Sequence, residues 1–347
     1  MHIRTIAWQR DAIKIIDQTK LPGKLVYLRI GKLKSLWQAI RNMKIRGAPA
    51  LGVAAGLGVY LGMKNSKAGN FLEFKKDLNK TIAYIASSRP TAKDLFWALE
   101  KMREVALKNK DKPLSYIKRQ LFGEANMILE QDRVVCRRIG YYGASLLKNN
   151  DTILTICNAG ILATVDYGTA LGVIYRACQQ KKRIKVFVCE TRPMLQGARL
   201  TTWELKKKGI DVTLICDSMA ATLMRQGKVN KVITGADRIA LNADTANKIG
   251  TYNLAVLSKY HRIPFYIAAP VSTFDFSINS GRQIPIEERR REEVTELFFK
   301  KPITRPDIKV FNPAFDVTPH NLITAIITDK GIIRPPYNKN ILKILKE

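Results

Sequence analysis

Histidine and cysteine are scarce in this sequence, and their arrangement argues against several classes of site. Three histidines occur in 347 residues, at His2, His261 and His320, and no two of them are close in sequence. The five cysteines are scattered without CxxC spacing: Cys136, Cys157, Cys178, Cys189 and Cys216. An odd number with this spacing argues against a disulfide framework and a zinc site. Neither a metal centre nor a histidine-based triad is predicted.

Long hydrophobic runs and cofactor fingerprints are also missing. The longest apolar run, residues 48–63, is too short and too rich in glycine to span a bilayer. The N-terminal residues show no apolar segment behind their basic residues, so no secretory signal is predicted. No Walker A motif occurs, and no GxGxxG follows the first strand-like run of the second half. The chain is predicted to be cytoplasmic, without a membrane segment or a cofactor.

Acidic residues are few beside the basic ones. The chain has 29 Asp and Glu against 59 Lys and Arg, a formal net charge of +30. Such a charge attracts nucleic acid or any other anion. No RNP-like aromatic motif or zinc-finger spacing accompanies it, so specific nucleic-acid binding is not predicted, and solvated helix faces are the simpler explanation. The basic residues form short separate clusters, including Lys181–Arg183, Lys206–Lys208 and Arg289–Arg291.

Residues 1–125 predict a small domain of antiparallel strands followed by helices. Residues 3–30 alternate apolar and polar side chains around a turn at 18–23, as a small strand set does. Helical periodicity follows in 35–43, after Pro49, in 70–86 and in 94–108. A further helical pattern covers 114–147, with a weak break predicted near Gly123.

The start of the second helix is a candidate anion site. Proline is favoured in the first helical turn, so Pro49 predicts a helix whose preceding amides, near Gly47 and Ala48, face an anion. Arg46 adds a positive charge there, and Arg89 on the loop 87–91 is a second arginine for the same purpose. The alternative is a tightly packed core helix in which Arg46 has a structural role.

Residues 126–347 predict a parallel, doubly wound sheet. Strand-like runs recur roughly every 20 to 30 residues with helical stretches between them, the spacing of βαβ units. Ligands of such sheets bind at the carboxyl ends of the strands. The predicted strands are Ile153–Cys157, Ile184–Cys189, Val212–Cys216, Val232–Thr234 and Pro264–Ala268.

The stretch Lys231–Thr251 contains the strongest candidate site. Asp237 comes just after a predicted strand, and Asn247 and Lys248 follow ten residues later. Cys157 ends another strand, and Gln196 follows a third. A thiol and a carboxyl that can move protons, together with cations for a phosphate, point to an isomerase of a phosphorylated small molecule. The alternatives are a surface loop rich in turn residues and a cysteine that only packs.

Seven segments together resemble the methylthioribose-1-phosphate isomerases of methionine salvage. They are IDQTKLP (16–22), IRGAPALGVAAGLGVYL (45–61), RPTAKDLFWAL (89–99), CNAGILATVDYGTALGVI (157–174), ETRPMLQGARLTTWEL (190–205), TGADRIALNADTANKIGTYNLAVL (234–257) and NPAFDVTPHNLITAII (312–327). The family shares its fold with the regulatory subunits, alpha, beta and delta, of the exchange factor of translation initiation. The resemblance covers nearly the whole chain and implies a Rossmann-like C-terminal domain, a smaller N-terminal domain and a homodimer.

The resemblance also implies roles for individual residues. Asp237 would be the proton donor and Cys157 its catalytic partner. The substrate-binding positions would be Arg46, Gly47, Ala48, Arg89, Gln196, Asn247 and Lys248. One departure is Asp94, where the family pattern leads us to expect asparagine.

The implied reaction converts 5-methylthioribose 1-phosphate to its 1-phosphoketose. Phosphate on the anomeric oxygen prevents spontaneous ring opening, so a carboxylic acid kept protonated by an apolar pocket must act on the ring oxygen. The alternatives are an isomerase of 5-deoxyribose 1-phosphate or ribose 1,5-bisphosphate, and a non-catalytic protein of the translation-factor type. The sequence leaves a proton relay through Cys157 and a direct hydride transfer equally open.

Overall fold

The computed structural model describes residues 3–90 and 92–346, the last two of them by their backbone only. His2 and the predicted loop residue Thr91 lie outside the described residues. The chain forms two compact units. The first consists of Met1–Arg137 with Gly160–Gly168, and the second of Arg138–Ala159 with Thr169–Glu347.

The first unit opens with the predicted antiparallel strand set. Strands β1 (Ile6–Gln9), β2 (Ala12–Ile16) and β3 (Tyr27–Ile30) form a sheet in which β2 is central and both pairings are antiparallel. Helices follow: α1 (Leu33–Arg41), α2 (Ala48–Met63), α3 (Phe71–Ala86), α4 (Lys93–Lys108) and α5 (Leu114–Ala144). Twelve of the 16 residues of α2 are buried, so this helix is the apolar centre of the unit. The predicted strand set and helices are confirmed.

Helix α5 is more regular than its sequence indicates, and it ends at Ala144 rather than at the predicted residue 147. It runs without interruption through Gly123, so the predicted break at that residue is wrong. A single glycine costs a helix interior only about 1 kcal/mol relative to alanine, which the remaining turns tolerate. The predicted domain boundary at residues 125–126 lies inside this helix, whereas the compact units divide between Arg137 and Arg138.

The second unit contains a seven-stranded sheet with the predicted parallel core. Its strands are β4 (Thr152–Thr155), β5 (Lys185–Cys189), β6 (Asp211–Ile215), β7 (Lys231–Thr234), β10 (Phe265–Ala268), β13 (Ala325–Thr328) and β14 (Gly331–Ile333). The order across the sheet is β14-β13-β10-β7-β4-β5-β6, and every pairing is parallel except that of β14 with β13. From β6 to β13 this is the doubly wound order, which reverses between β4 and β7.

Most of the helices of this unit connect its parallel strands. They are α6 (Ala170–Gln179), α7 (Thr202–Lys207), α8 (Ala220–Arg225), α9 (Thr251–Tyr260), the short α10 (Glu292–Thr295) and the C-terminal α11 (Tyr337–Lys346). Strands β4, β7 and β10 are buried on both faces, as the near-continuous apolar runs of a parallel sheet require. Among the described residues, no helix is both long and apolar enough to cross a membrane.

A second, smaller sheet begins directly after β7. Strands β8 (Arg238–Ala240), β9 (Thr245–Lys248), β11 (Phe274–Asp275) and β12 (Phe315–Thr318) form it in the order β11-β8-β9-β12. The stretch that could be read as a surface loop is therefore largely strand. Strands β8 and β9 are too short to show strand periodicity. They form because β8 pairs with β11 and β9 pairs with β12, which is some seventy residues away.

Candidate active site

The candidate catalytic residues follow the two strands at which the strand order reverses. Cys157 lies two residues beyond the end of β4, and Asp237 lies three residues beyond the end of β7. The two strands are parallel neighbours, with Leu154 opposite Val232. Both residues therefore leave the sheet at its carboxyl edge, at the switch point where doubly wound sheets bind ligands. The prediction that Cys157 belongs to the strand itself is wrong, because the strand ends at Thr155.

The backbone of Cys157 has an unusual conformation that hydrogen bonds hold in place. Its φ of 61° is in the left-handed region, which residues other than glycine seldom adopt. Its N–H donates to Thr191 Oγ1 at 2.8 Å, and its carbonyl accepts from Thr201 Oγ1 at 2.6 Å. Such strained residues cluster at functional sites. The side chain is only partly buried, whereas Cys189, at the end of β5, is fully buried and has a pKa raised by that burial.

The residue after Cys157 is held by a buried polar network. Asn158 Nδ2 donates to Thr201 Oγ1 at 3.1 Å and to Glu204 Oε1 at 2.9 Å. The other oxygen of Glu204 accepts from the hydroxyl of Tyr175 at 2.9 Å. Glu204 is only 1 % exposed, so these hydrogen bonds are what compensates its removal from water. Through Tyr175 of α6 and Glu204 of α7, this network holds the turn that contains Cys157 in place.

Gln196 reaches the same edge on a turn that only glycine permits. A Cβ on Gly197 would lie 1.7 Å from the carbonyl oxygen of Cys189, far inside van der Waals contact. This approach brings the segment back over the end of β5, where a π-helical turn, Gly197–Thr201, begins. Gln196 is 4 % exposed, and its Oε1 has no hydrogen-bond partner among the described residues. A buried acceptor without a donor is suited to a hydroxyl or amino group of a ligand.

Asp237 and Asn247 lie in register across the small sheet. Strands β8 and β9 are antiparallel, with Arg238 opposite Ala246, and the N–H of Asp237 donates to the Ala246 carbonyl at 2.9 Å. Continuing this register by one residue places Asp237 opposite Asn247. Asn247 is 5 % exposed, and its Nδ2 donates to Thr251 Oγ1 at 2.9 Å. The carboxyl and the amide therefore occupy one row of the sheet.

Asp316 extends this row on β12 and organises the turn after Lys248. It lies directly opposite Asn247 in the β9–β12 register. Its carboxylate accepts the N–H groups of Gly250 at 2.7 Å and Tyr252 at 3.1 Å, which caps the start of α9. Burial raises its pKa to about 6, against the lowering effect of these bonds and of Lys248. Lys248 donates to the Ala314 carbonyl at 2.7 Å, with its Nζ 4.7 Å from the ring centroid of Phe315.

The first unit carries the other predicted binding residues on the loop between α1 and α2. Arg46 is 6 % exposed and its Nε donates to Gln18 Oε1 at 3.0 Å, while Gln18 Nε2 donates to the Leu162 carbonyl at 2.7 Å. Gly47 is the N-cap of α2, with a φ of 93° and no room for a Cβ, which would lie 2.6 Å from Ala163 Cα. The helix begins at Ala48, as predicted.

Arg89 is linked to the same loop. Its Nη1 lies 2.9 Å from Met43 Sδ, and Met43, with a φ of 57°, lies three residues before Arg46. The predicted helix over residues 35–43 ends instead at Arg41, and the two residues after it begin the turn that Arg89 contacts. The structure thus connects both predicted arginines to one loop of the first unit.

Sequence reasoning missed the residues that hold this site in shape. Thr191, Glu204 and Asp316 act through hydrogen bonds to residues 34, 46 and 66 positions away. For Thr191 the sequence did contain a signal, because Glu190–Pro193 and Asp217 are polar residues that follow neighbouring strands. In the structure, Asp217 accepts the Thr191 N–H at 2.8 Å. No spacing rule points to Asp316.

Comparison with known proteins finds relatives that match nearly the full length of this chain. A model described as the initiation factor 2 subunit family matches residues 44–335. A Moorella thermoacetica protein named 5-deoxyribose 1-phosphate isomerase is 53 % identical over 99 % of this chain and 97 % of its own length. A Geotalea uraniireducens protein named methylthioribose-1-phosphate isomerase is also 53 % identical, over 98 % of both chains.

Two solved structures have the same architecture over 99 % of this chain. One is titled 5-methylthioribose 1-phosphate isomerase from Pyrococcus horikoshii, with 44 % identity, a TM-score of 0.91 and 96 % of that chain covered. The other is titled translation initiation factor eIF-2B, subunit delta, from A. fulgidus, with 47 % identity, a TM-score of 0.88 and all of that chain covered. The likeness confirms the predicted fold class.

Proposed function

Because this chain belongs to the initiation factor 2 subunit family, and its full-length relatives include sugar 1-phosphate isomerases, we propose that it is an aldose–ketose isomerase of a sugar 1-phosphate. The substrate we propose is 5-methylthioribose 1-phosphate, and the product is 5-methylthioribulose 1-phosphate. The observation that carries this proposal is the position of Cys157 and Asp237 after the two strands that flank the switch point. A thiol and a carboxyl at that edge are suited to proton transfer on a ligand bound there.

Asp237 is proposed to open the sugar ring. The phosphate blocks the anomeric oxygen, so the bond from C1 to the ring oxygen breaks only if the ring oxygen receives a proton. Asp237, as a protonated carboxylic acid, donates that proton, which becomes the hydrogen of the C4 hydroxyl. Its neighbour in register, Asn247, is buried and suited to orienting the same oxygen.

Cys157 is proposed to act in the second half of the reaction. The hydrogen on C2 moves to C1, and the C2 hydroxyl loses its proton as it becomes the ketone, so product and substrate have the same atoms. Cys157 either relays the C2 hydrogen as a proton through an enediolate or assists a direct hydride shift. Substrate labelled with deuterium at C2 tests this: complete loss of the label to solvent excludes hydride transfer.

The remaining predicted residues are proposed to bind the substrate. Arg46 and Arg89 of the first unit, with Gly47 and Ala48 at the start of α2, are suited to the phosphate, since cations and helix N-terminal amides both favour anions. In the second unit, the buried Oε1 of Gln196 is suited to a sugar hydroxyl, and Lys248 adds a cation beside Asn247.

Turnover of three sugars by the purified protein tests the proposal. We expect conversion of 5-methylthioribose 1-phosphate to the ketose, and loss of conversion in folded Cys157→Ser and Asp237→Asn variants. The M. thermoacetica relative makes 5-deoxyribose 1-phosphate the specific alternative, so kcat/KM for that sugar and for ribose 1,5-bisphosphate decides the substrate. A well-folded protein that converts none of the three would favour a regulatory role of the kind named for the A. fulgidus structure.

A further inference from the structure

The structure brings residues of two separate basic clusters to a single cavity. Lys181–Arg183 lies between α6 and β5, and Lys206–Lys208 ends α7 and precedes β6. Because β5 and β6 are adjacent and parallel, with Lys185 opposite Asp211, the loops before them meet at the same edge of the sheet. This is the amino edge, opposite the carboxyl edge that carries Cys157 and Asp237.

The cavity at this edge has the size of a small-ligand site. Its volume is about 700 Å³, within the range of roughly 300 to 1,000 Å³ that ligand pockets occupy. Its lining combines apolar side chains, Ile184 and Ile210, with polar ones, Asn150 and Thr152, from the starts of β4, β5 and β6. Such a mixture is suited to an organic molecule with a charged group.

The electrostatic balance of the lining is positive. Four cationic side chains line the cavity, those of Lys182, Arg183, Lys185 and Lys208, against a single carboxylate, Asp211. The C-terminal ends of α5, α6 and α7 adjoin it, and each adds a partial negative charge of roughly half an elementary charge. Together these leave a surplus of roughly one and a half positive charges.

Helix capping accounts for only one of these cations. Lys182 donates to the carbonyls of Ala144 and Leu147, both at 2.8 Å, and so caps the C-terminal end of α5. Arg183, Lys185 and Lys208 are exposed. Lys208 lies over the ring of Tyr175, with its Nζ 5.7 Å from the centroid, a weak contact that leaves its hydrogen-bond donors available to a ligand.

We propose that this amino-edge cavity, lined by Lys182, Arg183, Lys185 and Lys208, binds a small organic phosphate at a second site separate from the candidate active site. Phosphate is the expected group because guanidinium and ammonium donors from two adjacent loops line the same cavity. Their charge-assisted hydrogen bonds to phosphate oxygens would be about twice as strong as neutral ones. The apolar side chains just before β5 and β6, Ile184 and Ile210, would contact the organic part.

Two pairs of lysines allow binding at this cavity to be distinguished from a general effect of the basic surface. Lys185 and Lys208 line the cavity, whereas Lys206 and Lys207 are equally exposed, belong to the same region and are not among its lining residues. Lys185→Ala with Lys208→Ala therefore removes the same net charge as Lys206→Ala with Lys207→Ala. Neither pair belongs to the proposed active site, so both double variants should keep the turnover of the wild type.

The measurement is titration calorimetry of the full-length protein with inorganic pyrophosphate at physiological ionic strength. We expect the Lys185/Lys208 double variant to weaken binding at least tenfold, while the Lys206/Lys207 double variant and Arg46→Ala bind as the wild type does. The proposal is overturned if the wild type does not bind, if both lysine pairs weaken binding equally, or if only Arg46→Ala weakens it. Binding of a short single-stranded oligonucleotide without binding of pyrophosphate would also overturn it, in favour of a nucleic-acid surface.

Discussion

The N–H of Cys157 donates to the side-chain oxygen of Thr191 at 2.8 Å, and both residues have a left-handed backbone, with φ values of 61° and 70°. The two residues follow adjacent parallel strands, β4 and β5. Thr191 Oγ1 in turn donates to the Cys189 carbonyl at 2.9 Å, and its N–H donates to Asp217. One hydroxyl therefore ties together two strand ends that are each in an unfavourable conformation.

Removing this hydroxyl should destabilise the site. Thr191→Val keeps the size and the β-branched shape but leaves the Cys157 N–H without its acceptor, at a cost of about 1–3 kcal/mol in the free energy of unfolding. Thr191→Ser keeps the hydroxyl and should lose less. Urea denaturation measures the loss of stability, and sugar 1-phosphate turnover measures the effect on the site. Equal stability of the valine variant and the wild type would show that the hydrogen bond does not hold the turn.

Gly197 should tolerate no side chain, in contrast to another glycine of the same protein. A Cβ at Gly197 would overlap the Cys189 carbonyl, so Gly197→Ala must displace the turn that carries Gln196. At Gly123, in the interior of α5, no described residue beyond the adjacent helix backbone lies within 4 Å of such a Cβ, so Gly123→Ala should stabilise the protein by about 1 kcal/mol. Thermal unfolding of both variants checks the contrast. A stabilised Gly197→Ala protein would contradict the close approach.

The stability of the protein should depend on Asp132 between about pH 4 and pH 7. Asp132 is partly buried in the first unit, and removal of its carboxyl from water, with smaller effects from Asp94 and Asp166, raises its pKa from 3.8 to about 7. The folded protein therefore keeps a proton that the unfolded chain has released in this window. Since the folded state binds more protons, this group makes the free energy of unfolding fall as pH rises, by up to about 1.4 kcal/mol per pH unit.

Replacing Asp132 removes the titrating group while keeping an acceptor. Its carboxylate accepts the Val165 N–H at 2.7 Å, and the amide oxygen of Asp132→Asn can do the same. Urea unfolding at a series of pH values should therefore give a flatter dependence for the variant than for the wild type between pH 4 and 7. Identical slopes for the two proteins would refute the raised pKa. Asp94, where the family pattern suggests asparagine, is one of the charges that sustains it.

Asp316 should position the Lys248 turn as well as stabilise it. Asp316→Asn replaces one of two accepting oxygens, so either the Gly250 or the Tyr252 N–H loses its partner. If the proposed function holds, the KM of the sugar phosphate should rise about five- to thirty-fold, the equivalent of 1–2 kcal/mol. Asp329→Asn is the matched control, because Asp329 accepts the Val271 N–H at 2.8 Å on another loop. A similar rise in KM for both variants would show that Asp316 has only a structural role.

Much of the second unit follows from the sequence alone. Apolar runs roughly every 20 to 30 residues predict βαβ units, since a parallel pairing needs a crossover of about a dozen residues or more. All five predicted strands exist. Cys157, Gln196 and Asp237 were identified because they end or follow predicted strands. The helices of the first unit are similarly evident from their period, although the regularity of α5 overrides the glycine that suggested a break.

The tertiary structure decided how these pieces are arranged. Spacing along the chain determines that strands are parallel, but it contains no information on whether β7 pairs with β4 or with β6, and the switch point depends on that choice. Likewise, β8 and β9 are short, and become strands only because they pair with each other and with distant segments, β8 with β11 and β9 with β12. Local periodicity reports the burial of each segment, whereas register and strand order depend on contacts between residues far apart in sequence.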